Sequence, residues 1–186
     1  MKRLITTTVN GREREIAVAP NWTLLEVLRD QLELRGAVEG CGVGQCGSCT
    51  VLIDGRPVSS CLTLATNVEG RSVTTIEGVA PAGELSAVQE AFLRQQAFQC
   101  GFCTPGMIMA VEGLIRSNPA PDEAQIRDYL SGNLCRCGTY SAVIAAVQEV
   151  VAELGAGAAG GGAAGGGAAD GGAADGRATG SEAAAG

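Results

Sequence analysis

The sequence predicts an α+β protein with a strand-rich first half, a helical second half and a disordered tail. Three observations carry that expectation. Two-residue turn signatures, Asn10-Gly11 and Asp54-Gly55, separate short runs containing Thr, Ile and Val, as hairpins do. Beyond Glu84 the apolar spacing becomes helical. From Gly155 to Gly186 almost every residue is glycine or alanine, with no large apolar side chain to bury, so ordering that segment has nothing to offset its entropy.

In chain order, residues 3–9 alternate weakly and predict a strand, and residues 15–20 predict its hairpin partner. Thr23 with Glu26 forms a capping-box signature opening a helix through Leu24, Leu25, Val27 and Leu28. A glycine-rich loop spans 40–47, followed by strands at 50–53, 56–61 and 72–76. Strands with one interposed helix suggest a sheet with that helix packed across it. Ser86 and Gln89 then cap a helix carrying Val88, Phe92 and Leu93. Met107, Ile108, Val111, Leu114 and Ile115 form the buried face of a second. Asp122 caps a short third helix with Ile126, Tyr129 and Leu130. Val143, Ile144, Val147, Val150, Val151 and Leu154 stripe a fourth, so the second half reads as a four-helix bundle. Pro81 and its small neighbours place the boundary near 78–83, giving units at 1–78 and 84–154 and a tail at 155–186.

Composition excludes several classes. The net charge of −7, with Lys and Arg scattered, offers no footprint for nucleic acid or anionic lipid. No apolar run reaches the length of a membrane span, and the first residues lack a secretory or twin-arginine pattern. The expected compartment is therefore the cytoplasm, where cysteines bind metal or react rather than form structural disulfides.

There are eight cysteines and no histidine. Cys41, Cys46, Cys49 and, eleven residues later, Cys61 follow the C-x4-C-x2-C plus distant cysteine spacing of plant-type [2Fe–2S] sites. Gly40, Gly42, Gly44 and Gly47 are expected to take positive φ and turn backbone N–H groups toward an anionic cluster. Cys100, Cys103, Cys135 and Cys137 make the second group. Cys103 precedes Thr104-Pro105, read as a cap and first helical residue, and Cys137 leads into the last helix. Two helix N-termini would thus face one negative centre. Two four-cysteine zinc sites would also use eight thiolates; the first spacing and the Cys135-Arg136-Cys137 pair weigh against them. Without histidine a Rieske centre and a Cys–His nucleophile are both excluded, and the commonest general base is missing.

The segments EGCGVGQCGSCTVLIDG, QCGFCTPGM and GNLCRCGTY, in this order, resemble the iron–sulfur small subunits of the molybdenum hydroxylases. That family includes xanthine dehydrogenase, aldehyde oxidoreductase and aerobic carbon monoxide dehydrogenase. The resemblance covers residues 3–154 and implies a ferredoxin-like β-grasp domain followed by a helical [2Fe–2S]-binding bundle. It implies a large subunit carrying molybdopterin and a medium subunit carrying FAD as partners, with electrons passing from one to the other through both clusters. Carried over by position, Cys137 is the ligand nearest the pterin and Gln99 hydrogen-bonds it. Phe98 and Phe102 are expected to serve core or interface packing. A mobile two-cluster ferredoxin with no permanent partner is the alternative. The substrate would lie on another polypeptide and leaves no trace here.

Overall fold

The structure is a computed structural model and describes residues 1–160. Strand β1 (Arg3–Val9) turns at Asn10 and Gly11, whose φ values of 51° and 75° are the positive pair a type I′ turn requires. It returns as β2 (Arg12–Val18), with Val9 opposite Arg12 and Ile5 opposite Ile16. β2 therefore begins before the expected residue 15, because a two-residue turn puts Arg12 directly in register. It ends at Val18, ahead of Pro20, which has no N–H for the ladder.

Thr23 caps α1 (Leu24–Glu26) as expected. Its hydroxyl accepts from Glu26 N–H at 3.2 Å, and the Glu26 carboxylate accepts from Thr23 N–H at 2.7 Å. The helix widens into a π-helical turn, Val27–Gln31, and Leu24, Leu25, Val27 and Leu28 face the sheet core. Strands β3 (Thr50–Ile53), β4 (Arg56–Ser59) and β5 (Ser72–Thr74) complete the sheet. Among the described residues its order is β2-β1-β5-β3-β4, antiparallel except for the β1–β5 pair.

The second half is helical. Capping boxes at Ser86/Gln89 and Asp122/Gln125 open α2 (Ala87–Arg94) and α4 (Glu123–Tyr129). Between them lies α3 (Thr104–Ser117), and α5 (Tyr140–Gly160) closes the bundle. Phe92, Met107, Val111, Ile126 and Val147 are buried in a core of their own, separate from that of the sheet. α5 runs past Leu154 to Gly160, so the first residues of the expected tail extend the helix. Propagating an established helix through alanine costs little compared with nucleating one. The rest of that tail, 161–186, lies outside the described residues. Among the described residues no helix is long and apolar enough to cross a membrane.

The two cores meet where α3 crosses β3 and β4. A Cβ at Gly106 would lie 2.3 Å from the Gly47 carbonyl oxygen, and one at Gly113 would lie 2.8 Å from Pro57 Cδ. Glycine at both positions permits the approach. Asn133, buried between the halves, donates through Nδ2 to the carbonyls of Gly47 at 3.2 Å and Gly106 at 3.3 Å.

Candidate cluster sites

The loop between α1 and β3 carries Cys41, Cys46 and Cys49. Gly42, Gly44 and Gly47 have φ of 66°, 73° and 71°, and the path they allow aims backbone donors at sulfur. Cys41 Sγ accepts from the N–H groups of Val43 at 3.5 Å, Gln45 at 3.3 Å and Cys46 at 3.4 Å. Gly40 departs from expectation, since its φ is not positive. Its role is clearance, because a Cβ there would lie 2.9 Å from Cys46 Sγ. Cys61 arrives from the bend after β4, which ends at Ser59 and not at residue 61. Ser60, fully buried, fastens that bend to the loop by donating Oγ–H to the Cys49 carbonyl at 2.7 Å. Neither Ser60 nor Asn133 stood out in the sequence.

The electrostatics of this group are divided. The Val43 N–H foremost, with those of Cys46 and Gln45, brings the Cys41 thiol down to about 7. Burial, reinforced by neighbouring Cys49, pushes Cys61 up to about 11. A thiol so buried ionises readily only when a cation compensates it, which suits a metal ligand rather than a reactive nucleophile.

In the second group Cys103 is itself the N-cap of α3, which places Thr104 at the first helical position and Pro105 at the next. The expected cap is thus displaced by one residue, and the Thr104 hydroxyl is buried without a hydrogen-bond partner. Gly101 and Gly138 have φ of 81° and 76° and turn the two loops inward. Cys135 Sγ lies 3.1 Å from Thr139 Oγ1, and its N–H donates to the Tyr140 hydroxyl at 2.7 Å. Cys137 and Cys100 sulfurs are 3.6 Å apart. Burial, then Cys135, raises Cys103 to about 12. Burial would also raise Cys135, but hydrogen bonds led by the Thr139 hydroxyl and backbone outweigh it and bring the thiol to about 7.

A cleft of about 710 Å³ brings the groups together. It is lined by Cys41 and Cys46 of the first group, by Cys100, Cys103, Cys135 and Cys137 of the second, and by the apolar side chains of Phe102, Leu134 and Tyr140. Cys49 and Cys61 are buried. Across the joint, Leu134 N–H donates to the Cys46 carbonyl at 2.9 Å, so one hydrogen bond links a residue of the first group to the neighbour of Cys135. Gln99 is exposed beside the exposed Cys100, and Cys137 is half-buried. Phe98 and Phe102 are 37% and 48% exposed, so they do not belong to the core.

The donor set suits thiolate-ligated iron. All eight cysteines are unpaired and no imidazole exists in the chain. Each group offers backbone or hydroxyl donors to sulfur, as an anionic cluster needs.

Comparison with known proteins agrees. Residues 7–75 match the 2Fe-2S iron-sulfur cluster binding domain, and residues 75–148 match the [2Fe-2S] binding domain. The chain is 42% identical over 156 residues to a probable xanthine dehydrogenase subunit of Bacillus subtilis, covering 84% of this chain and 90% of that one. It is 46% identical over 151 residues to the nicotine 6-hydroxylase small subunit of Paenarthrobacter nicotinovorans, covering 81% and 91%. A chain of quinoline 2-oxidoreductase from Pseudomonas putida 86 superposes with a TM-score of 0.79 at 45% identity, covering 82% and 95%.

A sheet domain and a helical domain, each of a [2Fe–2S]-binding type, define a two-cluster iron–sulfur electron-transfer protein. The chain belongs to the iron–sulfur small-subunit family of the molybdenum hydroxylases.

Proposed function

We propose that this chain relays single electrons from a molybdopterin cofactor on a large partner subunit to FAD on a medium subunit, or to another acceptor. On this reading the helical unit, 84–154, holds one [2Fe–2S] cluster through Cys100, Cys103, Cys135 and Cys137. The sheet unit, 1–78, holds the other through Cys41, Cys46, Cys49 and Cys61. When bound, each cluster supplies a site that accepts and releases one electron at a time.

The observation that carries the reading is the shared cleft. Cysteines of both groups line it, and the Leu134–Cys46 hydrogen bond joins the two loops across it. The chain's own residues supply the rest. Val43, Gln45 and Cys46 present N–H groups to Cys41, while burial of Cys49, Cys61 and Cys135 keeps water from the sulfurs. The exposed Phe102, Leu134 and Tyr140 line the cleft with Cys100 and Cys137, and such an exposed apolar lining favours a permanent partner over a mobile carrier. By position in the family Cys137 would be the ligand nearest the pterin, and Gln99 would hydrogen-bond it.

The test is iron and acid-labile sulfide analysis of anaerobically purified protein, with low-temperature EPR after dithionite reduction. About four irons and four sulfides per chain and two distinct S = ½ signals are expected. Zinc without sulfide, or a single cluster in a fully loaded sample, refutes the relay. Co-purification of a molybdopterin-containing subunit tests the partner.

A further inference from the structure

We propose that Thr139 raises the reduction potential of the second cluster by donating its hydroxyl hydrogen to the sulfur of Cys135. The proposal rests on the assignment of Cys135 as a cluster ligand. Thr139 Oγ1 and Cys135 Sγ are 3.1 Å apart, and the residues are 7% and 9% exposed. In the thiol either atom can donate. Once Cys135 binds iron it is a thiolate with no proton, and the hydroxyl is then the donor.

The placement of the hydroxyl is informative. Val143 N–H donates to the Thr139 carbonyl at 3.0 Å, so Thr139 stands at the N-cap of α5. A threonine there ordinarily accepts from a backbone N–H of its own first turn; here the oxygen lies within bonding distance of sulfur. The loop that fixes it is held from both ends. Gly138 turns the chain at φ 76°, and the hydroxyl of Tyr140 accepts the Cys135 N–H at 2.7 Å. Thr139 is too buried for water to replace a lost bond.

Reduction adds one negative charge to the cluster and makes its sulfurs better acceptors. A donated hydrogen bond therefore favours the reduced form more than the oxidised one and raises the midpoint. Cys41 receives its hydrogen bonds from backbone N–H groups, which side-chain substitution leaves in place. Thr139 acts at the other group, so its removal should move one potential and spare the other. In this sense Thr139 is a positioning residue that works through Cys135.

The experiment is an EPR-monitored redox titration of the full chain, in its complex as purified, with Thr139→Val and Thr139→Ser. Valine keeps the shape and removes the hydroxyl; serine keeps the hydroxyl. At full loading, Thr139→Val should lower the midpoint of one signal, Thr139→Ser should return it toward wild type, and the other signal should stay fixed. Unchanged midpoints in a loaded Thr139→Val, or an equal fall in both variants, overturn the proposal. Should valine impair loading, Thr139→Ala makes the same comparison. Loss of the second cluster from both hydroxyl-free variants, but not from serine, assigns the hydroxyl to assembly and overturns tuning. A wild-type chain with only one cluster refutes instead the ligand assignment beneath the proposal.

Discussion

Replacing Gly106 with alanine places a methyl group in the closest approach between the two halves. In an ordinary helix interior the change stabilises by about 1 kcal/mol, because alanine loses less backbone entropy. Here the new Cβ would lie 2.3 Å from the Gly47 carbonyl oxygen, 2.9 Å from Ser48 Cα and 3.0 Å from Ser48 C. All three are backbone atoms of the loop that carries Cys46 and Cys49, so no side chain can swing aside. Restoring ordinary van der Waals separation requires α3 to retreat by roughly 1 Å. Overpacking of this kind costs up to about 3 kcal/mol. A 2.3 Å contact with backbone belongs at the upper end of that range, so set against the helix gain the expected net loss is about 2 kcal/mol. The retreat also lengthens the bonds from Asn133 to Gly47 and Gly106. Guanidinium unfolding of the loaded protein, compared with Gly155→Ala as a helix control, measures the effect. The Gly155 position is open, with nothing within 4 Å of an added Cβ. A Gly106→Ala protein as stable as wild type or more so would refute the close approach.

Cys46→Ser should remove one EPR signal and leave the other largely intact, because the two groups are held by different loops and cores; loss of both signals would show that the units do not load independently. Gln99→Ala should leave stability within about 0.5 kcal/mol, since the side chain is exposed. It should weaken association with the molybdopterin subunit or slow electron delivery, and unchanged association and rate would argue against the pterin contact. Asn133→Ala should destabilise by about 1–3 kcal/mol in denaturant unfolding, by removing one hydrogen bond across the joint, to Gly47, and one within the helical half, to Gly106, each of about 0.5–1.5 kcal/mol. The cost stays at that level because the Gly47 carbonyl still accepts from Thr50 N–H and Oγ1–H at 3.1 Å and 2.7 Å.

Local rules account for what was legible in the sequence. The Asn10-Gly11 turn and the boxes at Thr23, Ser86 and Asp122 depend on residues within a few positions of each other, and the structure contains them. Helical periodicity likewise located the buried faces of α3 and α5, except that Leu154, the last residue of the α5 stripe, is exposed. What escaped depends on distant packing. Gly40 looked like a conformational glycine, yet it makes room for Cys46 Sγ. Asn133 binds a carbonyl 86 positions away, which no local pattern records. The cap of α3 shifted from Thr104 to Cys103, because the start of a helix is set by where the chain turns in, and Gly101 completes that turn earlier. Phe98 and Phe102 read as core or interface packing, and their 37% and 48% exposure takes them out of the core.

The joint explains why the two units are better built as one chain than as two carriers. The residues that hold it, Gly47, Gly106, Asn133 and Leu134, are each sequence neighbours of candidate ligands or lie one helical turn from them. Movement of α3 against the sheet would therefore displace Cys103 relative to Cys46, whereas a rigid joint keeps their separation constant. Separation matters to an electron carrier because tunnelling falls steeply with distance. Three buried glycines at the contact forgo side-chain packing: Gly47 and Gly106 let backbones approach, and Gly113 admits the Pro57 ring. That sacrifice is reasonable where the spacing of two redox sites, rather than bulk stability, is the quantity that the fold must hold.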